Sequence, residues 1–371
     1  MSHHSPDAPP ATGGRHDDGS APSDAAAGRT SRRTAPATPR TPLVLLSTFV
    51  ILTLALGWLI GLPLVLMDPP DRLEAPLDLF YNLFMLSPAL AAVVVHLLER
   101  RQSARVLYGH LASPRGPDDD ATSAEAAEDQ TMRLRPQSFT DALGITPLRP
   151  VSRLISWSIL GIMLFFVFSM AALPIGGLLG VYAFDPSMPL FVQDLGQRLG
   201  HEPTEFIATG LLVEAGVIFA SAIGLVFLHV GTEIGWRGWF FPRAQLRWGT
   251  MRAVLITGAA NGLWYAPLLA VGFFYDQANV FQAMGLMIGF CIVIGGILAW
   301  LRMRSGSIWP AAFAQSMITA ATILAYWFTA FGEQIDFRHS TLQGWSGWLL
   351  PAALLGVLLL ARRRSFAPAS A

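Results

Sequence analysis

The sequence predicts an all-α membrane protein, a polytopic transmembrane helix bundle of about eight spans, on three observations. Only 13% of the 371 residues are charged while 53% are hydrophobic, whereas soluble domains carry about a quarter charged residues. Long stretches contain no charge at all, several of them exceeding the roughly 20 residues that cross a bilayer core. Arginine also alternates between rich and poor connections as those stretches succeed one another, which is the bias that sets membrane orientation.

Residues 1–41 are Pro, Ala, Ser, Asp and Arg with almost no large apolar side chains. Such a segment cannot bury enough surface to offset its ordering entropy, and it reads as a disordered cytoplasmic tail. The pair Arg32-Arg33 has the form of a twin-arginine signal, but Thr34 and Ala35 follow where hydrophobic residues belong and no small-residue cleavage site closes the next apolar run. A retained signal anchor is expected.

The first span runs from Leu43 to Met67 without a charge. Seven more follow at 79–98, 154–184, 206–231, 253–274, 280–301, 307–331 and 345–361. They are continuously apolar rather than alternating, and a backbone in lipid must satisfy its own hydrogen bonds, so helices are expected and strands are not.

Arg100, Arg101 and Arg105, then Arg237, Arg243, Arg247 and Arg252, then Arg302 and Arg304, then Arg362 to Arg364 lie on one side of the membrane with the N-terminal flank. The opposite loops, DPPDRLEAPLD, FDPSMPLFVQDLGQRLGHEPTE, FFYDQAN and FGEQIDFRHSTLQG, are poor in Arg and richer in acids. A multi-pass plasma-membrane protein with both termini cytoplasmic is the reading.

Five segments result: the tail 1–41, an appended helix pair 42–98, a cytoplasmic linker 99–138, a membrane core 139–361 and a tail 362–371. The linker holds an acidic low-complexity piece from Asp118 to Asp129, which reads as solvated chain. All 25 basic residues are Arg and the formal net charge is zero; the first is taken as coding bias, and the second leaves no nucleic-acid footprint. The single cysteine, Cys291, excludes a disulfide framework and a thiolate zinc cluster.

Three stretches carry the chemistry. TEIGWRGWFFPRAQLRWG begins at Thr232, GAANGLWYAPLL at Gly258 and RSGSIWPAAFAQSMITA at Arg304. In this order they resemble the three signatures of the CPBP intramembrane metalloproteases, the CAAX prenyl endopeptidase and bacteriocin-processing group. Ala142-Leu143-Gly144-Ile145 is similar to that family's opening motif, so the resemblance covers about 139–331.

The resemblance implies a general base at the first Glu of a Glu-Glu pair, but that position is Thr232 and only Glu233 remains, with Arg237 in the motif's Arg position. The His of the second signature falls on Tyr265, and the His and Asn of the third fall on Gln315 and Thr319. A catalytic zinc needs about three protein ligands from His or carboxylate and an open position for water. Tyr, Gln and Thr do not supply them. No metal and no cofactor are expected, zinc or another divalent ion entering only if the ligands have moved.

His229, Glu233 and Arg237 recur every four residues on one helical face. His229 and Arg237 read as groups that neutralise a buried Glu233, and the retained Glu233 and Arg237 as structural rather than catalytic. His96 falls in the appended pair, and His201 and His339 in outer loops, which leaves a relocated metal site short of a third ligand. Glu214, mid-span, joins His229 as a candidate cavity residue; a proton or substrate role and a simple hydrogen bond to a neighbouring helix are equally open. The segment 236–249, alternating Arg with Trp and Phe, is expected to lie in the cytoplasmic interface. Trp264 to Pro267 and Trp309-Pro310 are expected to interrupt their helices beside a cavity.

Three functions remain. The first is a CPBP-type membrane protein, catalytically impaired or inactive, that binds a peptide, a lipidated tail or a membrane protein. The second is an active intramembrane endopeptidase with a rewritten site built on His229, Glu233 and Tyr265. The third is a small transporter or membrane scaffold using Glu214, although no internal repeat supports a transporter.

Overall fold

The computed structural model describes residues 41–67, 77–112, 138–361 and 366, and only the backbone at 78 and 103–112. The N-terminal tail, most of the loop after the first span, the acidic linker and Arg362 to Arg364 lie outside the described residues.

Every predicted span falls on helix. Five helices are individually long and apolar enough to cross a membrane: α1 (Leu43–Leu66), α2 (Leu77–Ala112, apolar over its first two thirds), α4 (Val151–Leu178), α6 (Ile207–Gly224) and α11 (Val280–Ser305). A short α3 (Phe139–Ala142) precedes α4, and α5 (Pro189–Leu199) lies between α4 and α6. Among the described residues there is no strand, only an isolated antiparallel bridge between Phe184 and Thr329.

The other predicted spans are broken, for identifiable reasons. The fifth is α9 (Thr250–Trp264) followed by a turn at Tyr265 and α10 (Ala266–Ala270). Pro267 lacks an amide hydrogen and its ring collides with the preceding turn, so α9 cannot run on. The seventh is α12 (Trp309–Ala320), which opens with Pro310 in its first turn, and α13 (Ile323–Trp327). The eighth is one turn of 3₁₀ helix, Trp345–Trp348, leading into α14 (Leu349–Leu360). The fourth continues past α6 as α7 (Val226–Glu233), and then changes to a π-helix at Ile234–Phe240 before α8 (Phe241–Trp248). Single-turn π segments concentrate at functional sites, and this one carries the first signature.

α9 and α11 pack closely because Gly258 and Gly262 present bare backbone to the partner: a Cβ on either would fall 2.6 Å from the Cα of Ile292 or Ile288. Small residues four apart are the usual means of close helix approach in lipid. Outward-facing positions such as Leu212 and Phe227 remain exposed, as a hydrocarbon solvent permits.

Two features were not foreseen. The first part of the segment 236–249 is packed inside the protein, with Trp236, Trp239, Phe240 and Phe241 fully buried, while Leu246 stays exposed. Phe49 of α1 covers it, meeting Trp236 edge-on at 5.4 Å and stacking on Trp239 and Phe240 at 5.3 and 5.1 Å. Alternation of Arg with aromatics does not reveal that a later-packed helix will cover the aromatic face. The long connection after α4 also contains the amphipathic helix α5, capped at its end by Gly200 in the left-handed region.

The appended pair packs directly on the segments that carry the motifs. Phe84 of α2 stacks on Trp264 at 4.1 Å, and the Trp264 indole Nε1 donates to Ser87 Oγ at 3.0 Å. From α1, Trp58 Nε1 donates to the Leu263 carbonyl at 3.2 Å. At the Arg-rich end, the Arg243 guanidinium makes two bonds to the Glu99 carboxylate at 2.9 and 3.3 Å, and stands 4.6 Å over the Trp239 ring.

Candidate functional site

The π-helix after Glu233 turns the side chain of Arg237 back along its own helix. Arg237 Nη1 donates to Glu233 Oε1 at 2.9 Å, with both side chains buried. Room for the guanidinium comes from Gly295 of α11, where a Cβ would lie 2.6 Å from Arg237 Nη2. The pair is therefore recognised by backbone shape as well as by charge. One carboxylate oxygen, Glu233 Oε2, and one guanidinium nitrogen, Arg237 Nε, have no protein partner.

Thr232, Tyr265 and Gln315 converge with Arg237 on one enclosed cavity, which Asn261, Phe290, Cys291, Ile294 and Gly295 complete. Three of the four substituted motif positions thus meet in space although they come from α7, the α9–α10 turn and α12. Tyr265 is brought there by the break at Pro267, and Gln315 by the helix that Pro310 starts. The free space is about 20 Å³, room for about one water molecule and not for a peptide.

Thr319 and His229 form a second contact beside the cavity. Thr319 Oγ1 and His229 Nε2 are hydrogen-bonded at 3.0 Å, tying α12 to α7, while Thr232 Oγ1 donates to the His229 carbonyl at 2.7 Å. His229 is therefore not a neutralising partner of Glu233, as its spacing suggested; its Nδ1 has no partner. Four-residue spacing places two groups on one face but does not choose which neighbouring helix each will meet.

Glu214 belongs elsewhere. Its Oε1 accepts from Arg198 Nη1 of α5 at 2.6 Å, and Arg198 also pairs with Asp194 at 2.6 Å. Glu214 anchors α5 and is not a lining residue of the cavity. The partner was unreadable in the sequence because the connection after α4 gave no sign of folding back onto α6, apart from the apolar spacing of Phe191, Leu195 and Leu199.

Asn261 is the site residue that sequence reasoning missed. It is buried, lines the cavity and leaves its Oδ1 without a partner. An amide in the middle of an apolar helix, one turn before Tyr265, was the available signal.

The donor set does not fit a catalytic zinc. Such a site takes about three His or carboxylate ligands, and among the described residues no three His, Cys, Asp or Glu side chains converge. No carboxylate among the described residues lines the cavity, and Glu233, beside the lining residue Thr232 in the chain, is engaged by the Arg237 guanidinium.

These features define a polytopic α-helical membrane protein with a buried, water-sized polar site at the meeting point of three sequence motifs. The family model described as type II CAAX prenyl endopeptidase Rce1-like matches residues 214–321, which take in α7, the π-helix, the α9–α10 turn and all of α12. Over this core, less than a third of the chain, it is similar to the CAAX protease-like membrane proteins of the CPBP family. No curated protein and no solved structure matches the chain.

Proposed function

We propose that this chain is a non-hydrolytic member of its family, which keeps the architecture of an intramembrane protease and acts by binding a membrane protein or a lipidated peptide. The observation that carries this reading is the state of Glu233, the one acid left at the motif positions, whose carboxylate is bound to Arg237. Thr232, Tyr265 and Gln315 have the shape to close the cavity but not the chemistry to activate water. Because the cavity admits about one water, the partner is recognised on the lipid-facing or cytoplasmic surface. Both termini lie in the cytoplasm of a plasma-membrane protein in this reading, on the strength of the Arg-rich connections.

The test is restoration. Thr232→Glu, Tyr265→His, Gln315→His and Thr319→Asn in one chain return the family's pattern; stoichiometric metal and peptidase activity in that variant, and neither in the parent, are expected. Tight metal and proteolysis in the parent would instead support the rewritten site. One observation favours that second reading: His229 Nδ1 and Glu233 Oε2, one turn apart, both lack partners. The transporter reading loses its main support, since Glu214 is held by Arg198.

A further inference from the structure

Among the described residues at the Arg-rich end of the bundle, the positive charges outnumber what the neighbouring acid can neutralise. Glu99 is committed to Arg243 through both carboxylate oxygens. Arg302, in the last turn of α11, has no ion-pair or hydrogen-bond partner among the described residues, and its Nε is buried without one. Arg243 is close enough to repel it electrostatically. Asp141, the other acid of this end among the described residues, is occupied by the hydroxyls of Ser138 and Thr146.

The surroundings hold Arg302 in this position. Its guanidinium lies against the bare backbone of Gly144, where a Cβ would sit 2.7 Å from both Nε and Nη2. Gly144 has φ +71°, a conformation that favours glycine, and its carbonyl accepts the Ile308 amide at 2.9 Å. The loop before α4 and the turn after α11 are thus pinned together around an uncompensated planar cation. An unpaired charge at a helix end in a membrane is costly unless it reaches an anion or water at the interface. The anion available at that depth is the lipid phosphate, whose oxygens suit the guanidinium fork.

We propose that Arg302 is the centre of a binding site for the phosphate group of an anionic membrane lipid, with Arg243 contributing to the field and Gly144 leaving the guanidinium face room to align. The site is independent of the polar cavity and of whether the chain cleaves anything.

The full chain purified in a neutral detergent tests this by thermal unfolding, with phosphatidylglycerol, phosphatidylcholine or inorganic phosphate added. Phosphatidylglycerol should raise the midpoint by several degrees in proportion to its concentration, as a ligand of the native state does, and phosphatidylcholine should not. Arg302→Gln should remove more than half of that rise. Arg302→Lys, which keeps the charge but loses the fork, should retain only part of it, and serves where Arg302→Gln folds poorly. A rise of equal size in the parent and in both variants would overturn the proposal and assign the effect to the general basic character of that end. A rise reproduced by inorganic phosphate alone would overturn the lipid source and leave a site for free phosphate.

Discussion

Glu233 gives one carboxylate oxygen to Arg237 at 2.9 Å and leaves the other without a protein partner, inside a bundle where both side chains are buried. The relationship is structural by its energetics. A buried charge orphaned by removal of its partner typically costs about 3–5 kcal/mol, whereas replacing both members by neutral residues can be nearly neutral.

Glu233→Gln and Arg237→Ala should therefore each lower the folded yield in membranes, by a loss of about 3–5 kcal/mol. The double variant Glu233→Leu, Arg237→Met should recover part of it. Fluorescence-detected size exclusion and thermal unfolding measure this, and unchanged stability in both single variants would refute the structural role.

The contact between the first helix pair and the second signature should be as sensitive as a core contact. Trp264 is fully buried, stacked on Phe84 and bonded to Ser87. Trp264→Ala should cost about 3–5 kcal/mol, and Ser87→Ala about 1–3 kcal/mol by leaving the indole N–H unsatisfied. Thermal unfolding of each variant measures the losses, and a Trp264→Ala midpoint equal to the parent's would show that the pair merely lies alongside the core.

The loop between α13 and the 3₁₀ turn at Trp345 supplies a pH-dependent element. The Arg338 guanidinium holds the Asp336 carboxyl below the usual carboxylate range, with bonds of 2.6 to 3.0 Å. A depressed folded value contributes stability that is full above the unfolded pKa of about 3.9, and that is lost as pH falls through the folded value. Solvent reaches the pair, so the contribution is at most about 1 kcal/mol. Asp336→Asn should lower the unfolding midpoint slightly at pH 7, and the difference from the parent should vanish as the pH approaches 2. A difference that grows on acidification would contradict the sign.

Orientation is open to labelling. Cysteines placed at Gln277 and Gln334 should react with an impermeant reagent from outside the cell, and one at Ser365 should not. Labelling of Ser365→Cys from outside would reverse the topology.

The helices were legible because hydrophobic length is a local property, and Pro267 and Pro310 announced their own interruptions. What escaped was set by packing between distant segments. Nothing near Trp239 in the chain indicates that Phe49 will cover it, and nothing in α6 indicates that Glu214 will meet Arg198. Within the site, motif order was enough to gather Tyr265, Gln315 and Thr232 at one cavity. The bond between Thr319 and His229 depends on the rotation of two helices, which spacing alone does not fix. Asn261 carries no charge and is no usual metal ligand, so within GAANGLWYAPLL only its place one turn before Tyr265 marks it.

The most direct measurement of the central claim is metal content and proteolysis on the same purified full-length protein. Elemental analysis should find well under one equivalent of transition metal per chain, because Glu233 and His229 supply two ligands where a catalytic zinc takes about three. Prenylated and leader peptides incubated with that preparation should show no chelator-sensitive cleavage. One equivalent of tightly bound zinc, with cleavage abolished by Glu233→Ala in a variant that still folds, would contradict it.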